Sequence, residues 1–216
     1  MVFIQGCPWN CLYCQNQDLR HRTLEDTSLL IPWAGVENFL QKRQGLIDAV
    51  VFSGGEPCLD SALPVAMKRV KDLNYKVGLH TSGVYPNRLK SCLPYLDWVG
   101  LDIKAPLSNS ILYEKITRCH NVTHKVIASL ELILEFGVSY ETRCTAHPDY
   151  LTNTDLETLT EDLYLKGVKN FALQLYRQPP GLEKELCLKP VKMDYPEKMV
   201  LNRMEKLFTH FLVRRN

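Results

Sequence analysis

Cys7, Cys11 and Cys14 stand within eight residues of one another, in Gly6-Cys-Pro-Trp-Asn-Cys-Leu-Tyr-Cys14, directly after the apolar run Met1-Val-Phe-Ile4. Three thiolates on one loop can hold three irons of a 4Fe–4S cluster and leave the fourth iron without a protein ligand, whereas a fully ligated electron-transfer cluster takes four cysteines. An open iron is a place where a small molecule binds and receives an electron. Zinc is the competing reading of the Cys-x2-Cys pair, and structural zinc takes four ligands. His21 is a candidate fourth, but no second Cys-x2-Cys or histidine pair follows to close a separate site. Disulfides fit less well. No signal peptide is expected, and Cys58, Cys92, Cys119, Cys144 and Cys187 are scattered singly, like ordinary buried thiols.

Further residues that can do chemistry recur at the ends of apolar runs. Gly54-Gly55-Glu56-Pro57 closes the run Asp48-Ala-Val-Val-Phe52. Paired glycines let backbone approach a ligand closely, and Glu56 can accept from an ammonium group; a plain turn is the simpler reading of Gly-Gly alone. Asp102 and Lys104 extend the run Trp98-Val-Gly-Leu101, and Arg143 sits in another. Lys104 and Arg143 can hold a carboxylate, Arg through its planar fork. Asp102 can orient Lys104, accept a ribose hydroxyl or help hold a cation. In isolation each of these is also what a solvated loop residue looks like. His80, Thr81 and Gln174 are weaker candidates of the same kind.

These residues need elements to bring them together. Apolar runs that read as strands begin at Met1 and span Asp48–Phe52, Lys76–Leu79, Trp98–Ile103, Val138–Thr145 and Lys169–Tyr176. Helical patterns alternate with them. One spans Trp33–Gln44. The next carries Leu63, Ala66, Met67 and Val70 behind Asp60 as cap, and a short one runs Pro86–Cys92. A long one starts near Asn121 and stops at Gly137, and another follows a capping box at Thr154 and Glu157. After a Pro/Lys-rich connection, Arg177 to Tyr195, a last helix is expected with Val200, Met204, Leu207, Phe208 and Phe211 on one stripe. Alternation of this kind predicts an α/β fold with a parallel sheet, because each helix must carry the chain back to start the next strand. About six units suggest an open, partial barrel with outer helices. In such sheets ligands sit beyond the C-terminal strand ends, which is where the cysteine loop, Gly54 to Pro57, Thr81-Ser82, Asp102/Lys104, Arg143 and Gln174/Tyr176 all fall.

The Cys-x3-Cys-x2-Cys spacing, with the aromatic Tyr13 before the last cysteine and a Gly-Gly-Glu-Pro segment one strand later, resembles the radical S-adenosylmethionine (SAM) superfamily. Together with Phe39–Asp48, Phe52–Pro57 and Leu101–Pro106, the resemblance extends to the glycyl-radical-enzyme activases, and within them to the activating proteins of anaerobic ribonucleoside-triphosphate reductases. It covers the chain to about Tyr176. The resemblance implies a partial (βα)6 barrel and one 4Fe–4S cluster on Cys7, Cys11 and Cys14. It implies SAM held by Tyr13, Gly54, Gly55, Glu56, Thr81, Asp102, Lys104 and Arg143. It also implies a glycyl radical enzyme as partner and an electron donor such as flavodoxin or ferredoxin. A radical SAM enzyme acting on a small molecule, such as a deazapurine precursor, and a non-catalytic zinc-binding module are the alternatives. The chain departs from the family in having His80-Thr81-Ser82-Gly83 where relatives often show Asp-Thr-Asn-Gly, an Asp that helps hold a monovalent cation, and in having Gln174 where a histidine is often found. It also lacks the inserted ferredoxin-like module of some activases.

Composition sets the outer bounds. A chain of 216 residues with 45% hydrophobic and 23% charged residues is expected to form one domain, with its core over about residues 1–176. A net charge of +2 and no basic run beyond Arg214-Arg215 give no reason to expect nucleic acid. No apolar stretch approaches the roughly 20 residues that cross a bilayer, and a reducing cytoplasm is expected. Met1 falls inside the first apolar run, only six residues before Cys7, the pattern of a chain that lacks an N-terminal segment.

Overall fold

The computed structural model describes residues 1–22, 30–177, 191 and 194–215. Seven strands form a single sheet in the order β1 to β7: β1 (Val2–Ile4), β2 (Ala49–Gly54), β3 (Lys76–Thr81), β4 (Trp98–Asp102), β5 (Ser139–Ala146), β6 (Asn170–Leu175) and β7 (His210–Arg214). Every neighbouring pair is parallel. The linear order leaves β1 and β7 as the two edges, so the sheet is open. The intervening helices are α1 (Trp33–Gln41), α2 (Leu63–Asp72), α3 (Pro86–Cys92), α4 (Ser110–Thr117), α5 (Thr123–Phe136), α6 (Asn153–Leu165) and α7 (Lys198–Leu207).

Strand periodicity divides the sheet's residues into two sets. Val50, Phe52, Val77, Leu79, Val99, Leu101, Phe171 and Leu173 are buried in one core with Met67, Leu89, Val126, Leu130, Ile133, Leu156, Leu159 and Leu163 of the helices. The alternate positions carry Ser53, His80, Asp102 and Arg143, with His80 opposite Gly100 and Asp102 opposite Arg143 in register. One face therefore builds the core, and the other is free to be polar.

Several expectations shift on inspection. The expected last helix ends at Leu207, where Phe208 turns extended, and His210–Arg214 forms a seventh strand. Phe208 and Phe211 do pack together with Phe171, at ring distances of 5.0 and 5.9 Å, but from a helix exit and a strand rather than one helical stripe. The segment after residue 176 thus contributes a strand to the same sheet. The capping box of α6 is Thr152 with Asp155, two residues before the expected pair. Asp60 accepts from the Ala62 N–H at 2.9 Å, ahead of a helix that begins at Leu63. Helix α4 was not evident as a pattern; Asn109 caps it by accepting from Leu112 N–H at 3.0 Å. No described helix is long and apolar enough to cross a membrane.

Candidate active site

The cysteine loop is fixed by backbone on three sides. Glu56 N–H donates to the Gly6 carbonyl at 2.8 Å and Gly55 N–H to that of Ile4 at 2.9 Å, joining the loop to the end of β2. Gly6 and Cys7 N–H donate to Leu19 and Arg20 carbonyls at 2.8 and 3.0 Å, closing the loop on itself. Asn10 and Leu12 N–H donate to Thr117 and Ile116 carbonyls at 2.9 and 3.3 Å, tying it to the end of α4. The paired glycines serve this docking. A Cβ at Gly55 would meet the Gly6 carbonyl carbon at 2.7 Å and the Leu19 oxygen at 3.0 Å, and one at Gly54 would meet Ile4 N at 2.6 Å, with Gly54 at φ +116°. The close approach expected of these glycines is made by the cysteine loop itself.

Cys7, Cys11 and Cys14 are half-buried and free of disulfides. Burial pushes the Cys7 thiol up to about 12, with a Trp9 N–H pulling it down and Glu56, Cys11 and Cys14 adding to the rise. Burial likewise pushes Cys11 up to about 11, opposed by Lys104. The three thiols share one electrostatic neighbourhood, and Lys104 is in it. His21 is exposed. No three His, Cys, Asp or Glu side chains among the described residues are gathered around a single metal position. A cluster asks for a different arrangement, one thiolate to each of three irons, and three free thiols on a loop this firmly fixed fit that donor set. Tyr13 is packed between Tyr150 and Tyr176 at ring distances of 5.8 and 6.2 Å, with Lys104 Nζ 5.8 Å above its ring. Its hydroxyl is buried without a hydrogen-bond partner among the described residues.

Glu56 is fully buried, and both of its oxygens are occupied. Oε1 accepts from Cys58 N–H (2.9 Å) and the Thr81 hydroxyl (2.8 Å); Oε2 accepts from Ser82 N–H (2.7 Å) and the Ser82 hydroxyl (2.5 Å). Thr81 in turn accepts from Gly83 N–H at 3.0 Å. Glu56, Thr81 and Ser82 thus form an internal strut joining the end of β2 to the end of β3.

The charged residues form a second unit, at the end of β4 and beside it on β5. Asp102 Oδ2 accepts from Lys104 Nζ at 3.1 Å, and Asp102 Oδ1 accepts from Arg143 Nε and Nη2 at 3.1 and 2.9 Å. The Lys104 and Arg143 side chains are 13% and 11% exposed, and that of Asp102 32%. Burial alone would raise Asp102, but Lys104 and Arg143 more than offset it and hold the carboxyl down at about 2. Lys104 is pushed above its ordinary range, because Asp102 outweighs its burial. Two cations around one carboxylate leave an excess positive charge beside the cysteine loop, which suits an anionic ligand group. Gln174 sits in register with Thr145 and Arg214, and Arg214 pairs with Glu141 through two contacts at 2.9 and 2.8 Å.

The sequence reading placed Ser82 at a strand end without giving it a role, and missed Asn16 and Gly100. Ser82 supplies two of the donors to Glu56. Asn16 Nδ2 donates to the Gly54 carbonyl at 3.0 Å, a second tie between loop and strand. Gly100 makes room on the polar face, since a Cβ there would meet the Trp98 ring at 2.7 Å and Arg143 Cζ at 3.0 Å; a glycine inside a strand is a recognised sign of such close approach. Cys187 and most of the Arg177 to Tyr195 connection lie outside the described residues.

A firmly seated three-thiol loop and a Lys–Asp–Arg cluster lie together toward the C-terminal ends of an open parallel sheet, where α/β enzymes bind their ligands. A model of the Radical SAM superfamily matches residues 1–163, and the chain belongs to that superfamily. Two Methanocaldococcus jannaschii proteins, provisionally named glycyl-radical enzyme activating enzymes, are similar to it. One is 23% identical, covering 98% of this chain and 85% of that protein; the other is 26% identical, covering 88% and 75%. A 7-carboxy-7-deazaguanine synthase from Thermococcus kodakarensis is 26% identical over 122 residues, covering 48% of each. Among solved structures, Streptococcus suis SuiB bound to S-adenosylmethionine superposes with a TM-score of 0.71 at 15% identity, covering 98% of this chain. The chain spans 48% of the length of that SuiB chain. This likeness concerns the fold.

Proposed function

We propose that this protein is an activase. It would cleave SAM reductively and use the product radical to remove hydrogen from a glycine of a partner enzyme, an anaerobic ribonucleoside-triphosphate reductase. Cys7, Cys11 and Cys14 would hold one 4Fe–4S cluster. Such a cluster supplies the electron, delivered by a donor such as flavodoxin or ferredoxin, that breaks the C5′–S bond to give methionine and a 5′-deoxyadenosyl radical. The chain's own residues bind and orient. Lys104 and Arg143, both fixed by Asp102, present cationic donors to the methionine carboxylate, and the charge-assisted fork of an arginine suits it. The Gly54 to Glu56 backbone, clamped on the cysteine loop, lines the same corner, and the Tyr13 ring closes it beneath Lys104. The observation that carries the reading is the seating of three free thiols on one firmly held loop, with Lys104 beside Cys11, at the end of the sheet where ligands bind.

The activase assignment draws further support from the two M. jannaschii relatives, whose similarity runs along nearly the whole chain. Anaerobic incubation with SAM, a low-potential reductant and the candidate reductase should produce a glycyl radical on the reductase, read by electron spin resonance, and one 5′-deoxyadenosine per radical. Rapid SAM cleavage driven by a deazapurine precursor, with no radical on the reductase, would replace this reading with the small-molecule one that the T. kodakarensis relative favours.

A further inference from the structure

We propose that His80 is a positioning residue of this site: a neutral imidazole that fixes the direction of the Arg143 guanidinium and so sets the carboxylate-binding fork. The proposal rests on the SAM site described above. Arg143 Nη1 lies 3.3 Å from His80 Nε2, and His80 Nδ1 lies 3.3 Å from Ser53 Oγ. A guanidinium only donates and stays charged, so Nε2 must be the accepting, unprotonated nitrogen. The ring proton is then on Nδ1, and Ser53 Oγ receives it. One chain of contacts therefore crosses from β2 through β3 to β5. Trp98 closes edge-on against the imidazole at 5.5 Å.

The consequence lies in what remains of Arg143. Asp102 takes Nε and Nη2, and His80 takes Nη1. Both flanks of the planar group are held, and one N–H on each terminal nitrogen stays uncommitted among the described residues. Donors on neighbouring guanidinium nitrogens form the pair a carboxylate accepts. The charge count follows the same logic. With His80 neutral, Asp102, Lys104 and Arg143 sum to one positive charge, which one carboxylate neutralises. The groups facing His80 are Ser53 on β2, Trp98 and Asp102 on β4, Glu141 and Arg143 on β5 and Arg214 on β7. Burial and Arg143 hold the imidazole down at about 4, against the pull of Asp102 and Glu141.

Two measurements test this. In the protein without cluster or SAM, histidine 15N NMR should show His80 as the neutral Nδ1–H tautomer from pH 7.5 to 5. In cluster-loaded protein, the dissociation constant for SAM should rise at least tenfold in His80→Leu, and likewise in His80→Asp, whose carboxylate would engage Arg143 and cancel the excess charge. His80→Gln, which can accept from Arg143 and donate to Ser53, should stay within threefold of wild type. Binding of decarboxylated SAM should be the same in all four proteins. A protonated or Nε2–H ring at neutral pH, equal SAM affinity in His80→Gln and His80→Asp, or equal losses for the decarboxylated ligand would each overturn the proposal. The Gln/Asp comparison decides it even if His80→Leu does not fold. Wild-type protein that binds no SAM would remove the site reading itself, an outcome distinct from wild-type binding that is indifferent to residue 80.

Discussion

Replacing Glu56 with Ala separates a structural strut from a ligand contact, because the two roles predict opposite effects on stability. The buried carboxylate takes two backbone N–H groups, of Cys58 and Ser82, and two hydroxyls, of Thr81 and Ser82. Hydroxyls rotate to new acceptors, but the two N–H groups cannot. A buried donor left unpaired costs about 1–3 kcal/mol, so Glu56→Ala should lose about 2–6 kcal/mol before any void is counted. Typical domains have only about 5–15 kcal/mol in total. Glu56→Gln keeps one accepting oxygen and turns an NH2 group toward the remaining donors, so its loss should be roughly half as large. Urea denaturation of protein without cluster or SAM, followed by circular dichroism, reads the effect free of any ligand. If the carboxylate were instead held ready for an ammonium group, removing it would relieve a buried charge, leaving the apo protein as stable or more so while SAM affinity fell. A loss under about 1 kcal/mol in Glu56→Ala, with weakened SAM binding, would refute the strut.

Ala at Cys7, Cys11 or Cys14 should each abolish the 4Fe–4S absorption band and SAM cleavage, whereas Ala at Cys58, Cys92, Cys119, Cys144 or Cys187 should leave both largely intact; iron content per chain checks this. Gly55→Ala should lower cluster incorporation although all three thiols remain, since the new Cβ meets only loop backbone, while Gly35→Ala in α1, which meets the movable Ile31 side chain at 3.2 Å, should not. Stability should fall with pH in two separable windows. His80, held down at about 4 against an unfolded value near 6.5, lets the unfolded chain bind more protons between those values, so stability drops from about pH 6.5 to 4, and this part should vanish in His80→Gln. Asp102, held at about 2, contributes stability that is present above its unfolded value of about 3.9 and is lost as pH falls through 2; Asp102→Asn should remove that second step in denaturation midpoints taken across pH.

What was legible in the sequence, and what was not, follows from how far apart the interacting residues lie. The cysteine loop declares itself because its ligands are neighbours in the chain. The strand ends declare themselves because a parallel sheet gathers all its C-termini on one side, so residues that punctuate apolar runs must meet. Partnership within that gathering is a matter of register, and register is not written locally. Asp102 and Arg143 meet because β4 and β5 align them, 41 residues apart. Glu56 looks like a free acid after two glycines until Ser82, 26 residues on, is seen to supply two of its donors. The same limit explains β7. Val200, Met204, Leu207, Phe208 and Phe211 keep a helical spacing, yet the aromatic and branched run from Phe208 to Val213 also suits a strand, and the contact that decides between them is with Phe171 on another element. The same holds for His80. Taken alone, a lone histidine is read as a satisfied polar side chain, and here it is one. What gives it a role is the identity of the group that satisfies it: a guanidinium that only donates leaves the imidazole a single tautomer, and through that tautomer the position of a residue on β3 becomes the aim of an arginine on β5.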